Sequence, residues 1–339
     1  MRKNYNPHKD KKLVKSDYTH RIIIPVHISG NEYAQDLLKI LKITLQSLTK
    51  TIHKKTAITV VNNGSNQEVV DYLNNEFKNK RIHEIVHTSS VGKLNAILKI
   101  LRSVNEEIIT ISDADVLFLN GWQDETLKVF NNFLKVGVVG IVPQFKLYAT
   151  NSYNLFFDNF FSKKMRFTNV VNPNALKKFY QSIGWNDDYN KDFLCTNLTL
   201  ASKSGTKAIV GSGHFVTTYR KEVFEYLPKE NSNYLLGGGS ERKYLDEPVL
   251  KAGGWRLTTN NNYAYHLGNV FEDWMDEELN ALIDQSNRDV VIASKITFKG
   301  NKVSYFIKNH LFRKILSNNS LKKNFLKLKG LSKNMAKKH

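Results

Sequence analysis

From Arg21 to Phe118, short apolar runs alternate with segments whose apolar residues recur every three or four positions, and this alternation constrains the fold more than any other feature. Arg21 to Ile28 is an almost unbroken apolar run, as in a strand buried on both faces, with Pro25 expected to end its regular pairing. Tyr33 to Leu48 sets Leu37, Leu38, Leu41, Leu45 and Leu48 at helical spacing. Ala57 to Val61 predicts a second strand, 67–77 a helix, Ile82 to His87 a third strand, Lys93 to Arg102 a helix and Ile108 to Phe118 a fourth strand. The succession argues an α/β domain with a mainly parallel sheet. In such sheets ligands gather outside the C-terminal ends of the strands.

His27, Asn62, Asn63 and the pair Asp113 and Asp115 all fall at those ends. In an extended 108–118 strand the two carboxylates project to one side, about 6–7 Å apart. Like charges that close, at the edge of an apolar strand, resist desolvation unless a cation neutralises them. A hard divalent ion with open positions for phosphate oxygens meets that need. Two acids alone also suit the start of a solvated loop; polar clusters in matching positions along consecutive units favour a site.

After a helix from Trp122 to about Leu134 and a strand from Val136 to Val142, aromatic residues crowd the stretch from Gln144 to Trp185, predicting an aromatic mini-core under a long insertion. Ile209 to Thr217 predicts one strand containing glycines, followed by a helical Arg220 to Tyr226. Gly237-Gly238-Gly239 predicts a mobile loop ahead of a second acidic pair, Asp246-Glu247, and Trp255 to Thr258 and Tyr263 to His266 predict closing strands. Gly92-Lys93 lacks the upstream glycine of a phosphate loop, Gly211-Ser212-Gly213 lacks the third glycine of a dinucleotide fingerprint, and no Gly-x-Ser-x-Gly elbow is present.

The net charge of +19 suggests nucleic acid until it is located along the chain. From Lys295 to His339 there are 13 Lys or Arg and no acid, whereas 21–294 holds 31 basic and 29 acidic residues. A basic tail on a nearly neutral body is an attachment device, and the body is not expected to bind nucleic acid. In the tail, Tyr305 to Leu316 gathers its apolar residues on one side with Lys308 as an intruder, and Leu321, Phe325, Leu328 and Leu331 form a second stripe. Such helices either lie on an anionic membrane surface or pack on the body with their lysines in solvent. No apolar run approaches the ~20 residues of a membrane span. A cytoplasmic location is therefore expected, with peripheral attachment to the inner face of the plasma membrane if the tail takes the first of these courses. The single cysteine, Cys195, excludes an internal disulfide.

Taken in order, Ile22 to His27, Val60 to Ser65, Gly92 to Ala96, Ile111 to Asp115, Gly211 to Phe215, Asp246 to Leu250 and His266 to Asn269 resemble glycosyltransferase family 2, the inverting enzymes of GT-A fold. The resemblance runs from about Arg21 to Asn269. It implies a GT-A-type α/β domain over 21–275, Rossmann-like and three-layered (α/β/α) with a mixed, mainly parallel sheet, divided into a nucleotide half 21–143 and an acceptor half 144–275; the basic arm over 1–20 and the basic amphipathic helical tail over 276–339 lie outside it. It implies a nucleoside diphosphate sugar donor bound by Pro25, His27, Asn62, Asn63, Lys93, Asn95, Asp113 and Ala114. Asp115, Asp113 and His266 would hold Mn2+ or Mg2+. The general base would come from Asp246 or Glu247, depending on whether the first acid or Leu250 sets the alignment. The implied activity is sugar transfer to a hydroxyl of a glycan or lipid-linked acceptor, in surface-polysaccharide or glycoconjugate synthesis. The competing readings are a nucleic-acid-binding or scaffolding protein acting through its basic tail, and a sugar nucleotidyltransferase.

Overall fold

The computed structural model describes residues 6, 9–12, 16–30, 32–186, 188–289 and 299–338. Parts of the expected arm (1–5, 7–8, 13–15) and of the expected tail (290–298, 339) lie outside the described residues. The N-terminal half alternates as its periodicity predicts: β1 (His20–Val26), α1 (Ala34–Thr51), β2 (Thr56–Asn63), α2 (Gln67–Lys78), β3 (Glu84–Thr88), α3 (Lys93–Leu101) and β4 (Ile108–Ser112). Side chains alternate across a strand, so one run feeds two layers. Ile22, Ile24 and Val26 pack with Leu38, Leu41 and Val69 of α1 and α2. Ile23 packs on the other face with Leu94, Ile97 and Leu98 of α3.

The chain continues through β5 (Val116–Phe118), α4 (Trp122–Asn132), β6 (Val136–Gly140), α5 (Tyr153–Asp158), β7 (Met165–Asn169), α6 (Pro173–Ser182), β8 (Thr196–Ala201), β9 (Lys207–Val210) and β10 (Val216–Arg220). Then come α7 (Glu247–Lys251), β11 (Trp255–Thr259), β12 (Ala264–His266) and α8 (Asp273–Asn280). The ten-stranded sheet has the order β3-β2-β1-β4-β10-β6-β11-β9-β8-β7. β1 to β4, β6, β8 and β11 run one way; β7, β9 and β10 oppose them. β5 and β12 form a separate antiparallel pair.

Three expectations change. Pro25 does not end β1: pairing with β4 stops at Ile23, but pairing with β2 runs on through Pro25 to Val26 opposite Asn62. The single strand expected over 209–217 is two strands in different places in the sheet, β9 and β10, joined by 211–215. The strand expected over 108–118 breaks at 113–115, between β4 and β5. The break is held open by partners for its backbone groups, as buried peptide groups require. Asp113 N–H donates to the Phe215 carbonyl (2.7 Å), Leu267 N–H donates to the Asp115 carbonyl (2.8 Å), and Thr44 Oγ1 of α1 donates to the Ala114 carbonyl (2.9 Å) and accepts from Val116 N–H (3.1 Å).

The C-terminal segment is α9 (Lys302–Phe306), a π-helical turn (Ile307–Leu311), α10 (Phe312–Leu316), α11 (Asn319–Leu328) and α12 (Lys333–Lys338). It packs on the body: Leu316, Phe325, Leu326 and Leu331 join Phe130, Val136 and Phe156 in one core, and Phe160 stacks on Phe325 at 5.4 Å. Lys308, the intruder in its stripe, turns inward to Asp158 (2.6 Å), which also meets Lys135. Lys329 is buried, its ammonium donating to the carbonyls of Asn159, Phe160 and Ser162, while its own carbonyl accepts from Phe167 N–H of edge strand β7. The second predicted stripe does not stay together, since Phe325 and Leu331 are buried but Leu321 and Leu328 are exposed, and the first sends only Phe312 and Leu316 inward. α8 crosses the expected boundary at 275, packing Met275 and Leu279 against Ile40 and Ile43 of α1.

At the other end of the strands, a buried polar chain ties β1, β4, β10 and α4 together. Gln123 Nε2 donates to His20 Nδ1 (2.6 Å), so the ring proton sits on Nε2 and is donated to Thr110 Oγ1 (2.7 Å), which contacts Thr218 Oγ1 (2.6 Å). Burial, with the charge of His53 adding, pushes the His20 imidazole down to about 3. The unfolded chain takes up this proton first, so stability is whole above about pH 6.5 and is lost as pH falls towards 3. Urea unfolding should lose about 2–3 kcal/mol from this group between pH 7 and 4.5. His20→Gln should flatten that dependence; an equal slope in variant and wild type would contradict the assignment.

Candidate active site

A cavity of about 420 Å³ opens at the C-terminal ends of β1, β2 and β4. Polar groups come from His27 after β1, Asn63 of β2, Lys93 at the start of α3, and Asp113 and Asp115 in the break after β4. Pro25, Ala114, Leu37 and Ile40 add apolar surface, and Leu235 and Leu236 line it from the loop before the glycine triplet. The strand ends are cross-braced: His27 Nδ1 donates to the Asn63 carbonyl (2.9 Å), and Asn63 Oδ1 accepts from Val91 N–H (2.9 Å).

The two acids meet by a different route from the one expected, through the break rather than along one extended strand. Lys93 Nζ lies 2.5 Å from Asp113 Oδ1, an ionic contact without hydrogen-bond alignment. Asp115 Oδ1 is buried with no hydrogen-bond partner, and Asp115 Oδ2 faces His266 Nε2 at 3.4 Å. Burial pushes the Asp115 carboxyl up to about 6; His266 opposes this, and Asp113 adds to it. The His266 ring is held by Phe179 and Phe215 and by Ser182 Oγ at 2.9 Å from Nδ1. Ser182 spends its own proton on the Phe179 carbonyl (2.7 Å), so its oxygen must accept from Nδ1–H. In the neutral ring Nε2 is then a bare lone pair facing a carboxylate oxygen. Two acceptors so placed would be satisfied by a proton or by a bound cation between them, and carboxylates with one imidazole are donors of the kind Mn2+ or Mg2+ accepts. Among the described residues no group of three or more His, Cys, Asp or Glu side chains is already arranged to hold a metal ion, so Asp113, Asp115 and His266 would have to draw together around one.

Asp246 and Glu247 do not line this cavity. Asp246 is the last residue of a π-helical turn (Arg242–Asp246) and is buried among His214 Nε2 (2.7 Å), Arg256 Nη2 (2.8 Å) and Asn151 Nδ2 (2.7 Å). Burial alone would raise its carboxyl, but Arg256 and the two hydrogen bonds outweigh that and hold it below the usual carboxylate range. Its side chain is 4% exposed against 35% for His214, so the imidazole is the face this pair turns outward. The segment 211–215 joins the pair to the acids, because Phe215, whose carbonyl holds Asp113 N–H, directly follows His214. Glu247 lies between Arg242 (3.7 Å) and Lys251 (3.4 Å), and Lys243 pairs with Glu230 (2.9 Å).

Asn62 and Asn95 are also outside the cavity lining, for a visible reason. Asn62 accepts from Ser65 N–H and meets His87, bracing the turn after β2. Asn95 exchanges hydrogen bonds with Ser232 and donates to the Val91 carbonyl, pinning the loop that carries Leu235 to α3. Arg256, Asn151, Leu235 and Leu236 are site or supporting residues that no motif marks; His214 falls within the Gly211 to Phe215 motif but is given no role there, and like Asp246 it lies outside the cavity lining. The glycines of 211–213 and 237–239 were the nearest signals.

The model for the family described as Glycosyl transferase family 2 matches residues 22–192. No curated protein matches the chain. Among solved structures, S. aureus TarS 1-349 is similar at 13% identity over 73% of this chain and 60% of that one, with a TM-score of 0.41. The mannosyltransferase PcManGT from Pyrobaculum calidifontis, in complex with GDP-Man and Mn2+, is 13% identical over 72% and 55%, with a TM-score of 0.39. GalNAc-T7 with UDP, GalNAc and Mn2+ is 12% identical over 74% and 44%, with a TM-score of 0.43. This chain thus spans less than two thirds of each of these proteins.

Gly92 is the joint between α3 and the 234–236 wall. Its φ is +90°, a Cβ there would lie 2.8 Å from Leu235 Cα, and the next amide, Lys93 N–H, donates to the Leu235 carbonyl (2.9 Å). Gly92→Ala should therefore lower stability by about 1–3 kcal/mol in urea unfolding and speed hydrogen exchange at the Lys93 amide. Unchanged protection at Lys93 would show that the wall does not depend on this contact.

Proposed function

The chain belongs to glycosyl transferase family 2, and from that premise we propose that it is a metal-dependent inverting enzyme moving a sugar from a nucleoside diphosphate sugar to a hydroxyl of a glycan or lipid-linked acceptor, in surface-polysaccharide or glycoconjugate synthesis. The observation that supports this best is the facing of Asp115 Oδ2 and His266 Nε2 across 3.4 Å, next to a buried carboxylate oxygen without a partner. Such a pocket is built to be completed by a cation and the oxygens that come with it.

In this reading Pro25, His27 and Asn63 bound the base and ribose, and Lys93 offers its ammonium to phosphate oxygens while Asp113 holds it in place. Asp115, Asp113 and His266 would hold Mn2+ or Mg2+. When bound, the ion supplies positive charge against the diphosphate as the bond from C1 to the phosphate oxygen breaks. Glycines 237–239, all with positive φ, let the Leu235 loop move over the donor and exclude water.

The acceptor hydroxyl needs a base. Asp246 has both carboxylate oxygens engaged and its proton affinity depressed, so it acts as a positioning residue. Accepting the hydrogen bond from His214 Nε2–H, it leaves Nδ1 with the lone pair that takes the hydroxyl proton as oxygen attacks C1 from the face opposite the departing diphosphate. A positioned base of this kind contributes typically about 10²–10⁴-fold.

A panel of nucleotide sugars assayed with Mn2+ tests the reading. Asp115→Ala should abolish metal-dependent donor hydrolysis, and transfer at wild-type rate by that variant would overturn the proposal. His214→Ala should lower kcat by about 10²–10⁴-fold with little change in donor KM, and Asp246→Asn should alter the pH profile of kcat. Full transfer by His214→Ala, with loss in Glu247→Gln, would assign the base to Glu247 instead.

A further inference from the structure

The helical stretch 302–316 buries Leu316 and leaves Val303, Phe306, Ile307, Leu311 and Ile315 exposed, by between 39% and 67%. Val303, Ile307, Leu311 and Ile315 follow one another at intervals of four. In a plain α-helix that interval drifts about 40° at each step. The π-helical turn over Ile307–Leu311 is wider and takes back part of the drift, so the four residues and Phe306 form one outward stripe. The inward side is already used: Lys308 meets Asp158, Asn309 is buried, and Phe312 packs beside Phe157 and Phe160. Phe306 stacks on His310 within the segment, and the stripe as a whole faces outward.

Its surroundings name what would cover it. Lys302, Arg313, Lys314, Lys323 and Lys327 are exposed around the stripe and along α11, where Leu321 and Leu328 are also exposed, and 299–338 contains no acidic residue. A second copy of this surface would bring like charges together. A bilayer carrying anionic headgroups complements both features, apolar side chains entering the acyl boundary and cations meeting phosphates. We propose that this face docks the protein on an anionic membrane, with Phe306, Ile307, Leu311 and Ile315 as the inserting residues. The inward side of the segment stays packed on α5 and α7, so docking needs no unfolding. The inference stands apart from the transferase reading, since it rests on none of the cavity residues.

Flotation of the full chain with vesicles tests it. Binding is expected to vesicles containing about one-third phosphatidylglycerol, to be weak on pure phosphatidylcholine, and to fall about tenfold or more in high salt, where surface charges are screened. The triple variant Ile307→Ser, Leu311→Ser, Ile315→Ser should lose about tenfold or more of that binding while keeping its circular dichroism and its unfolding midpoint. If that variant misfolds, a Cys195→Ser, Ile307→Cys chain carrying an environment-sensitive dye should show a blue shift on anionic vesicles. Absence of vesicle binding by the wild type, or undiminished binding by a folded triple variant, would overturn the proposal. So would a monomer–dimer equilibrium abolished by the same substitutions without any vesicle affinity, which would assign the stripe to a second copy.

Discussion

Three residues, 113–115, interrupt what would otherwise be a continuous strand, and Asp113 N–H and the carbonyls of Ala114 and Asp115 are each hydrogen-bonded to a different element. α1 contributes Thr44, the segment before β10 contributes the Phe215 carbonyl, and the residue after β12 contributes Leu267 N–H. An unpartnered peptide group at this depth would cost about 1–3 kcal/mol. Satisfying these groups commits four parts of the chain to one arrangement. The same contacts bring His266 and Asp115 face to face and put His214 one residue from the hydrogen bond that anchors Asp113.

The electrostatics follow from that geometry. Asp113 is neutralised within the protein by Lys93, whereas Asp115 keeps an oxygen with no donor and meets a histidine whose other nitrogen is committed to Ser182. One acid thus has a lysine beside it, and the other keeps a buried oxygen without a hydrogen-bond partner. Asp246 shows the opposite treatment, with three donors collected around it. Both its carboxylate oxygens are engaged, and of its partners the His214 imidazole is the more exposed.

The layered half of the fold was legible because its signals are local. Strand-length apolar runs and helical periodicity in 21–112 translate directly into β1 to β4 and α1 to α3, and the clustering of His27, Asn63, Asp113 and Asp115 at strand ends located the cavity. What was not legible is non-local. Nothing in Ile108 to Phe118 tells a continuous strand from two strands with a break, because the break depends on Thr44, Phe215 and Leu267. Asn62 and Asn95 look like binding residues in sequence but are consumed by Ser65, His87 and Ser232. Glycines at 211 and 213 hinted at a bend between Ile209 and Thr217 without saying that the flanking strands would separate in the sheet. Periodicity in 305–331 placed the helices but not their orientation: Lys308, polar and apparently misplaced, is the residue that points in.

The seat of Lys329 bears on how this protein can be handled. Its ammonium closes the end of the aromatic insert, and its carbonyl occupies a peptide donor of β7, the outermost strand of the sheet. Shortening the chain ahead of this residue would strip Phe156 and Phe160 of their cover and leave a bare ladder open to cross-strand pairing between molecules. Trimmed versions made for crystallography or expression would thus tend to clump for reasons unrelated to catalysis, and a graft that keeps 319–331 intact is the smaller disturbance.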